Sequence, residues 1–332
     1  MDNSTTGGIE FISRRLLIIV GIIMIVLGLI GNLLNIFVFT IWSRPRQRIN
    51  HTLFNNRTTN SSIYLLISSL VNLIIIGYPF TTRILFDGYQ YHVTRNAVIP
   101  LCKLRYYSLH TFNTISLTCV CMATFDRYLI SSRNVRLRHM STTRQGTKCV
   151  IFMIVLLNLL HGIPIAIYYD VSEDGQCYVT SRTYLYYYRY TFQIILHGIL
   201  PVTFFSLFGI LISKQMKEMK VRKVRNKSMN VDKQLLRMLL LISITIVLSS
   251  VSYSCENIYY LIFVDSDRQQ TGWVLFAHNI CSLLFYTNSV GSFYIYSIST
   301  RNFRCQVRKL FRWRTNGHHT QNYRMKTVTS AN

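Results

Sequence analysis

The chain predicts an all-α membrane protein: a bundle of seven transmembrane helices followed by a short amphipathic eighth. Three observations carry that prediction. Of 332 residues, 50% are hydrophobic and only 14% charged, a balance suited to lipid rather than water. Apolar runs of about twenty residues, the length that crosses a bilayer, recur seven times along the chain. Most of the basic residues collect between those runs on one side.

In order, the spans fall near 16–42, 61–86, 98–130, 149–169, 184–212, 235–264 and 272–298. The first is too long for the apolar core of a signal peptide, so 1–15 is expected to be an extracellular amino terminus and 16–298 the transmembrane domain. The fifth opens on tyrosines around Arg189, from Tyr184 to Tyr190, which suits the aromatic belt at a membrane interface. The seventh is rich in Ser, Tyr and Asn and should face other helices rather than lipid. In 299–312, Phe303, Val307, Leu310 and Phe311 fall on one face and Arg304, Arg308 and Arg312 on the other. That pattern predicts a helix lying along the inner leaflet, with 313–332 as a cytoplasmic tail.

Charge sets the orientation. The segments 43–57, 127–148, 213–237 and the tail hold 27 of the 36 basic residues, while three of the twelve acids (Asp126, Glu218 and Asp232) share that side. The positive-inside rule makes it cytoplasmic. The carboxyl terminus is then inside and the amino terminus outside, as expected of a multi-pass plasma-membrane protein. The net charge of +24 is thus mostly topology, and nucleic acid is not an expected partner. The basic loops are solvated faces drawn to anionic headgroups, a surface for an acidic cytosolic partner, or both. The eight cysteines contain no C-x-x-C pair, so a zinc framework is not expected. Neither a metal-ligand cluster nor a nucleophile constellation appears in the spans, so no enzyme, metal or cofactor is expected. No repeats of solenoid period stand out, and inverted repeats or broken helices of a transporter are not evident.

The third span ends in "FDRYLI". A charge at the bilayer centre costs ~2.5–3.5 kcal/mol on the insertion scale, so Asp126 and Arg127 demand a function. With seven spans in this orientation, the stretch resembles the signature closing the third helix of rhodopsin-like (class A) G-protein-coupled receptors. Cys102, 25 residues before Arg127, and Cys177 in "DGQCYV" stand where that family places a disulfide on the outer side. "GLIGNLLN" resembles its Gly31–Asn32 pair, "DKQLLRMLLL" its entry to the sixth helix, and "STRNFRCQVRKLF" its eighth helix. The resemblance covers about residues 16–312 and implies a receptor that binds an extracellular ligand and activates a heterotrimeric G protein. A non-signalling seven-helix receptor of scavenger or chaperone-like type is the alternative.

Several positions depart from the family's pattern. Asn72 stands where the second helix usually holds an Asp, and Ser250 and Ser252 replace the sixth helix's Trp and Pro. "SFYIY" replaces Asn-Pro-x-x-Tyr, keeping Tyr296 alone. The resemblance implies an interior polar cluster of Asn32, Asn72, Ser116, Asn288 and Ser292. Without a carboxylate there, a sodium ion loses its main electrostatic partner. Serine bonding back to its i−4 carbonyl bends a helix less than proline, so the sixth helix should be straighter than in relatives. The same alignment offers Asp232 as a releasable partner for Arg127. Asp126, Arg127, Tyr128, Asp232 and Tyr296 are the implied switch and G-protein-coupling residues. A solvated acid in a basic loop is the plain alternative for Asp232.

Leu109 and Tyr286 stand where amine receptors hold an Asp and opsins a Lys, which disfavours an amine or a retinal chromophore. The outer side is acidic and aromatic, with Asp170, Glu173, Asp174, Asp265 and Asp267 in loops and Glu256 near the mouth of the bundle. Tyr106, His110, Asn113, Tyr259, Tyr260, Trp273 and His278 are candidates to line a cavity with Glu256, each with packing or interfacial anchoring as the plain alternative. Carboxylates with aromatics suit a peptide carrying Arg and Phe or Tyr side chains. The nearest resemblance is to invertebrate neuropeptide receptors of the FMRFamide type. Asn3 heads an outward-facing glycosylation sequon, and Cys305 is a candidate for palmitoylation, an unmodified thiol being the alternative.

Overall fold

The computed structural model describes residues 3–43, 58–90, 95–132, 135–141, 143–172, 177–221, 227–259 and 272–310. Seven long helices dominate. Helix α1 is Asn3–Ser43. Helix α2 runs from Thr58–Ile75 through a π-helical stretch Ile76–Phe80, one turn Thr81–Arg83 and a second wide stretch Ile84–Gly88. Helix α3 is Arg95–Ser131 and α4 is Arg144–Tyr168. Helix α5 joins Arg182–Tyr186, the π-helical Tyr187–Ile199 and Leu200–Val221. Helix α6 is Lys227–Tyr259 and α7 is Gly272–Ser299. A final helix, α8, covers 301–310, and a short helix, Val135–His139, lies between α3 and α4.

Helix α1 starts well before the expected span edge at residue 16. Residues 3–15 contain no proline, Arg14 pairs with Glu10 one turn away, and Asn279 Nδ2 donates to Ser13 Oγ at 2.8 Å. Those contacts carry the helix past the apolar run. Two of the three widened stretches lie beside a proline, although Pro100 and Pro164 sit in regular α-helix. Pro79 and Pro201 lack an N–H and crowd the carbonyl one turn back; Pro79 lies inside the first wide stretch and Pro201 just after the longest one. Helix α6 has no proline and no wide turn. Ser252 Oγ donates to Leu248 O at 3.0 Å, the back-bond expected of it.

The helices close into a ring. Helix α1 packs on α2, α2 on α3, and α3 on α4 and α5; α5 packs on α6, α6 on α7, and α7 returns to α1. Phe39, Tyr64, Ile75, Ile76, Phe80, Ile115 and Phe205 form the fully buried centre. Among the described residues, Gly7–Ser43, Asn60–Gly88, Arg144–Tyr168, Arg182–Lys214 and Arg237–Cys255 are long and apolar enough to cross a membrane. The other two long helices are more polar because they face protein. Ser108, Thr111, Ser116 and Thr124 are buried on α3, and Asn279, Ser282, Ser289 and Ser292 on α7.

A hairpin interrupts the helical order, which the spans alone do not predict. Strand β1, Tyr169–Val171, pairs antiparallel with β2, Cys177–Val179. The Cys102–Cys177 disulfide ties β2 to the start of α3, with Cα atoms 6.0 Å apart. It anchors a second apolar cluster of Cys102, Ile165, Tyr169, Val171, Tyr184, Tyr188 and Phe192.

Candidate functional site

At the end away from the disulfide, the foot of α3 is held by short side chains. Asp126 is buried, and its two carboxylate oxygens accept from different elements. Ser61 Oγ of α2 donates to Oδ2 at 2.5 Å, and Ser141 Oγ, just after the short helix, donates to Oδ1 at 3.0 Å. Hydrogen bonds to a charged acceptor are about twice as strong as neutral ones, so Asp126 clamps α3 to its neighbours. Arg127 is only 3% exposed. Tyr128 packs edge-on against Phe208 of α5, with centroids 5.5 Å apart. Asp232 belongs to α6, but its side chain lies outside the described residues.

Tyr296 is fully buried between Phe39 and Phe303, at 5.3 and 5.7 Å. Phe303 fixes α8 beneath α7, and Arg304 Nη1 donates to Ser297 O and Ile298 O at 2.7 and 2.8 Å. A cation on the terminal carbonyls of a helix satisfies them and complements the dipole. On α8, Phe303 is buried, Val307 and Leu310 half-buried, and Arg304 and Arg308 exposed, while Phe311 and Arg312 lie outside the described residues. Cys305 is exposed on this helix.

The interior polar residues divide into pairs rather than one cluster. Asn32 Nδ2 donates to Ser289 O and to Gly28 O, both at 2.9 Å, and Asn35 Nδ2 donates to Ser292 Oγ at 3.1 Å. The bonds to Ser289 and Ser292 join α1 to α7. Ser116 Oγ donates to Asn72 Oδ1 at 2.8 Å and lies 2.8 Å from Ser68 Oγ, joining α3 to α2. Asn288 instead lines a small cavity with Asn113, His197, Ser249, Ser250 and Phe285.

Toward the disulfide end, that cavity meets a buried network. Asn113 Nδ2 lies 3.1 Å from His197 Nδ1, and Thr114 Oγ1 lies 3.2 Å from His197 Nε2. His110 bonds through its Nε2 to the Tyr188 hydroxyl, which accepts from Gln193 Nε2 at 2.8 Å. The two imidazole centroids are 5.9 Å apart. His110 and Asn113 were expected here. His197, Gln193 and Tyr188 were not, since the widened turns of α5 decide which of its residues face inward.

Other expected cavity residues are dispersed. Tyr106 stacks on Tyr169 at 4.5 Å, bringing the hairpin onto α3. His278 on α7 lies within electrostatic reach of Asp87. Tyr259 and Trp273 are exposed near the ends of α6 and α7. The side chains of Glu256 and Asn3 lie outside the described residues, as do Tyr260, Glu173, Asp174, Asp265 and Asp267. Asp170 Oδ1 accepts from the Val171 amide at 2.8 Å.

An ion-pair cluster escaped the sequence expectation. Arg105 Nη2 and Nη1 of α3 donate to Asp87 Oδ2 and Oδ1 of α2 at 2.7 and 3.4 Å, and Arg83 Nε lies 3.7 Å from Asp87 Oδ2. The Arg83–Asp87 spacing of four residues was a usable signal; the Arg105 partner, on another helix, was not.

The family model described as "7 transmembrane receptor (rhodopsin family)" matches residues 51–292. A relative in Macaca mulatta, C-C chemokine receptor type 8, is 27% identical over 219 residues. That stretch is 63% of this chain and 56% of the relative, so the chain spans about half the length of the relative it matches.

Proposed function

The chain belongs to the rhodopsin family of seven-transmembrane receptors, and from that premise we propose that it binds an extracellular peptide and activates a heterotrimeric G protein. The observation that carries this reading is the foot of α3, where Asp126 is clamped by Ser61 and Ser141 beside a buried Arg127. A buried guanidinium serves poorly as a stabilising device and well as a switch. At rest Arg127 bridges to Asp232 of α6. Breaking the bridge lets α6 move and exposes Arg127, with Tyr128 nearby and Tyr296 repacking, to the carboxyl-terminal helix of the G protein. The basic segments beside this end are cytoplasmic and the disulfide end is extracellular.

The ligand enters at the disulfide end, where α3, α5, α6 and α7 surround the His110–His197 network. A relative named as a chemokine receptor favours a polypeptide over an amine or a chromophore, as do Leu109 and Tyr286. Glu256 and the aromatic residues Tyr106, Tyr259, Trp273 and His278 supply partners for basic and aromatic side chains. A neuropeptide is the ligand class proposed. A peptide-library screen on cells expressing the chain, read by G-protein dissociation, tests ligand and coupling together. A peptide that dissociates the G protein only in expressing cells is expected. Dissociation in response to amines alone would overturn the peptide ligand, and peptide uptake without dissociation would support the non-signalling alternative instead.

A further inference from the structure

The cluster at the outer ends of α2, α3 and α7 holds more donors than it can use. Among the described residues, two guanidinium groups, Arg83 and Arg105, face one carboxylate, Asp87. Arg105 takes both carboxylate oxygens, leaving Arg83 Nε at 3.7 Å with no hydrogen bond. Arg83 and Arg105 are 9% and 8% exposed. A buried cation short of a counter-ion is unfavourable unless something supplies the missing charge.

A second observation is independent of the ion pairs. Tyr286 is 2% exposed, and its hydroxyl has no hydrogen-bond partner. The ring is held by stacking on Phe80 of α2 at 4.3 Å and by an edge contact with Phe285 at 5.7 Å. That places the phenol within electrostatic reach of Arg83, Arg105 and Asp87. Buried hydroxyls are normally paired, so an unpaired one within electrostatic reach of two arginines marks a place for an acceptor.

We propose that Arg83, Arg105 and Tyr286 form a subsite for a carboxylate group of the ligand, with Asp87 as the internal anion it competes with. A carboxylate is acceptor-only and negative, so it meets the unmet needs of Arg83 and Tyr286 together. A guanidinium of the site can take it in the bidentate geometry that favours arginine at such positions. A basic ligand group gains little here, because Asp87 is already paired. The side chain of Asp87 is 41% exposed while those of the arginines are near 10%, so the approach runs past Asp87 from the outer side. The inference rests on the reading that this end binds ligand, and adds an acidic group to the peptide proposed above.

The test uses purified full-length protein in lipid nanodiscs and pools of tetrapeptides at fixed ionic strength. One pair of pools, both capped, differs as Glu against Gln; the other differs as a free against an amidated carboxyl end. Thermal unfolding should shift upward with the acidic member of at least one pair and not with its neutral counterpart. The Glu pair points to an acidic side chain, the free-acid pair to a chain end. Arg83→Gln should abolish the shift. Asp87→Asn should lower the half-saturating concentration by about tenfold, because a competing charged acceptor has gone. Equal shifts from acidic and neutral pools in the wild-type protein overturn the subsite, whatever the variants do. Basal nucleotide exchange on a G protein, measured on the same preparation, needs no ligand. Exchange without acid discrimination sinks the subsite alone; acid discrimination without exchange, in the wild-type protein and in Asp232→Asn alike, sinks the receptor reading alone.

Discussion

Asp126 shows how little chemistry holds the inner end. Its carboxylate accepts from Ser61 and Ser141, two hydroxyls that the Asp-Arg-Tyr signature does not announce. A hydrogen bond to a charged group contributes about 1.5–3 kcal/mol, comparable to the gap between resting and active forms of a switch. Ser61→Ala is therefore expected to raise ligand-independent nucleotide exchange about tenfold, and Ser61→Thr to restore it. Unchanged or lower exchange at equal surface expression would show that the clamp does not hold the resting form. The signature itself was legible because charges at the end of an apolar run are costly and short in sequence. Its partners lie 65 residues before and 15 after Asp126, distances over which no local pattern operates.

Helix packing sets the next scale. A Cβ added to Gly162 of α4 would lie 2.2 Å from Thr111 Oγ1 and 2.9 Å from Tyr107 Cε2 of α3. One added to Gly291 of α7 meets nothing within 4 Å. Gly162→Ala should thus lower the thermal midpoint of the purified protein, at a cost of roughly 1–3 kcal/mol for overpacking. Gly291→Ala should raise it slightly, since alanine stabilises a helix by about 0.5–1 kcal/mol over glycine. Equal effects of the two would contradict the close approach of α3 and α4. The helices and their order were legible from apolar run length. Their azimuths were not: Asn32, Asn72, Ser116, Asn288 and Ser292 share polarity, yet Asn32 and Ser292 serve the α1–α7 contact and Asn72 and Ser116 the α2–α3 contact. The prolines signalled a lost hydrogen bond, but not that α2 and α5 would answer with wide turns.

At the scale of the whole molecule, the chain is a multi-pass membrane protein whose long helices bury many hydroxyls together with Arg83, Arg105, Asp126 and Arg127. Helices α3 and α7, whose buried faces are rich in Ser, Thr and Asn, carry much of that polarity. Composition predicted the class, and the family match over 51–292 agrees; the hairpin and the Arg83–Asp87–Arg105 cluster emerge only when distant helices meet. In the proposed function the ligand and G-protein sites occupy opposite ends, so α6 would have to transmit between them. With serine in place of the usual proline, α6 is a continuous helix, and in the proposed mechanism the latch between Arg127 and Asp232 would carry a larger share of the control. The most direct measurement is nucleotide exchange on a purified heterotrimeric G protein by the wild-type chain, Asp232→Asn and Arg127→Gln, without ligand and at matched amounts of folded protein. The account predicts exchange several-fold faster than wild type for Asp232→Asn and none above background for Arg127→Gln. Exchange by Asp232→Asn no faster than wild type, or retained in Arg127→Gln, would contradict it.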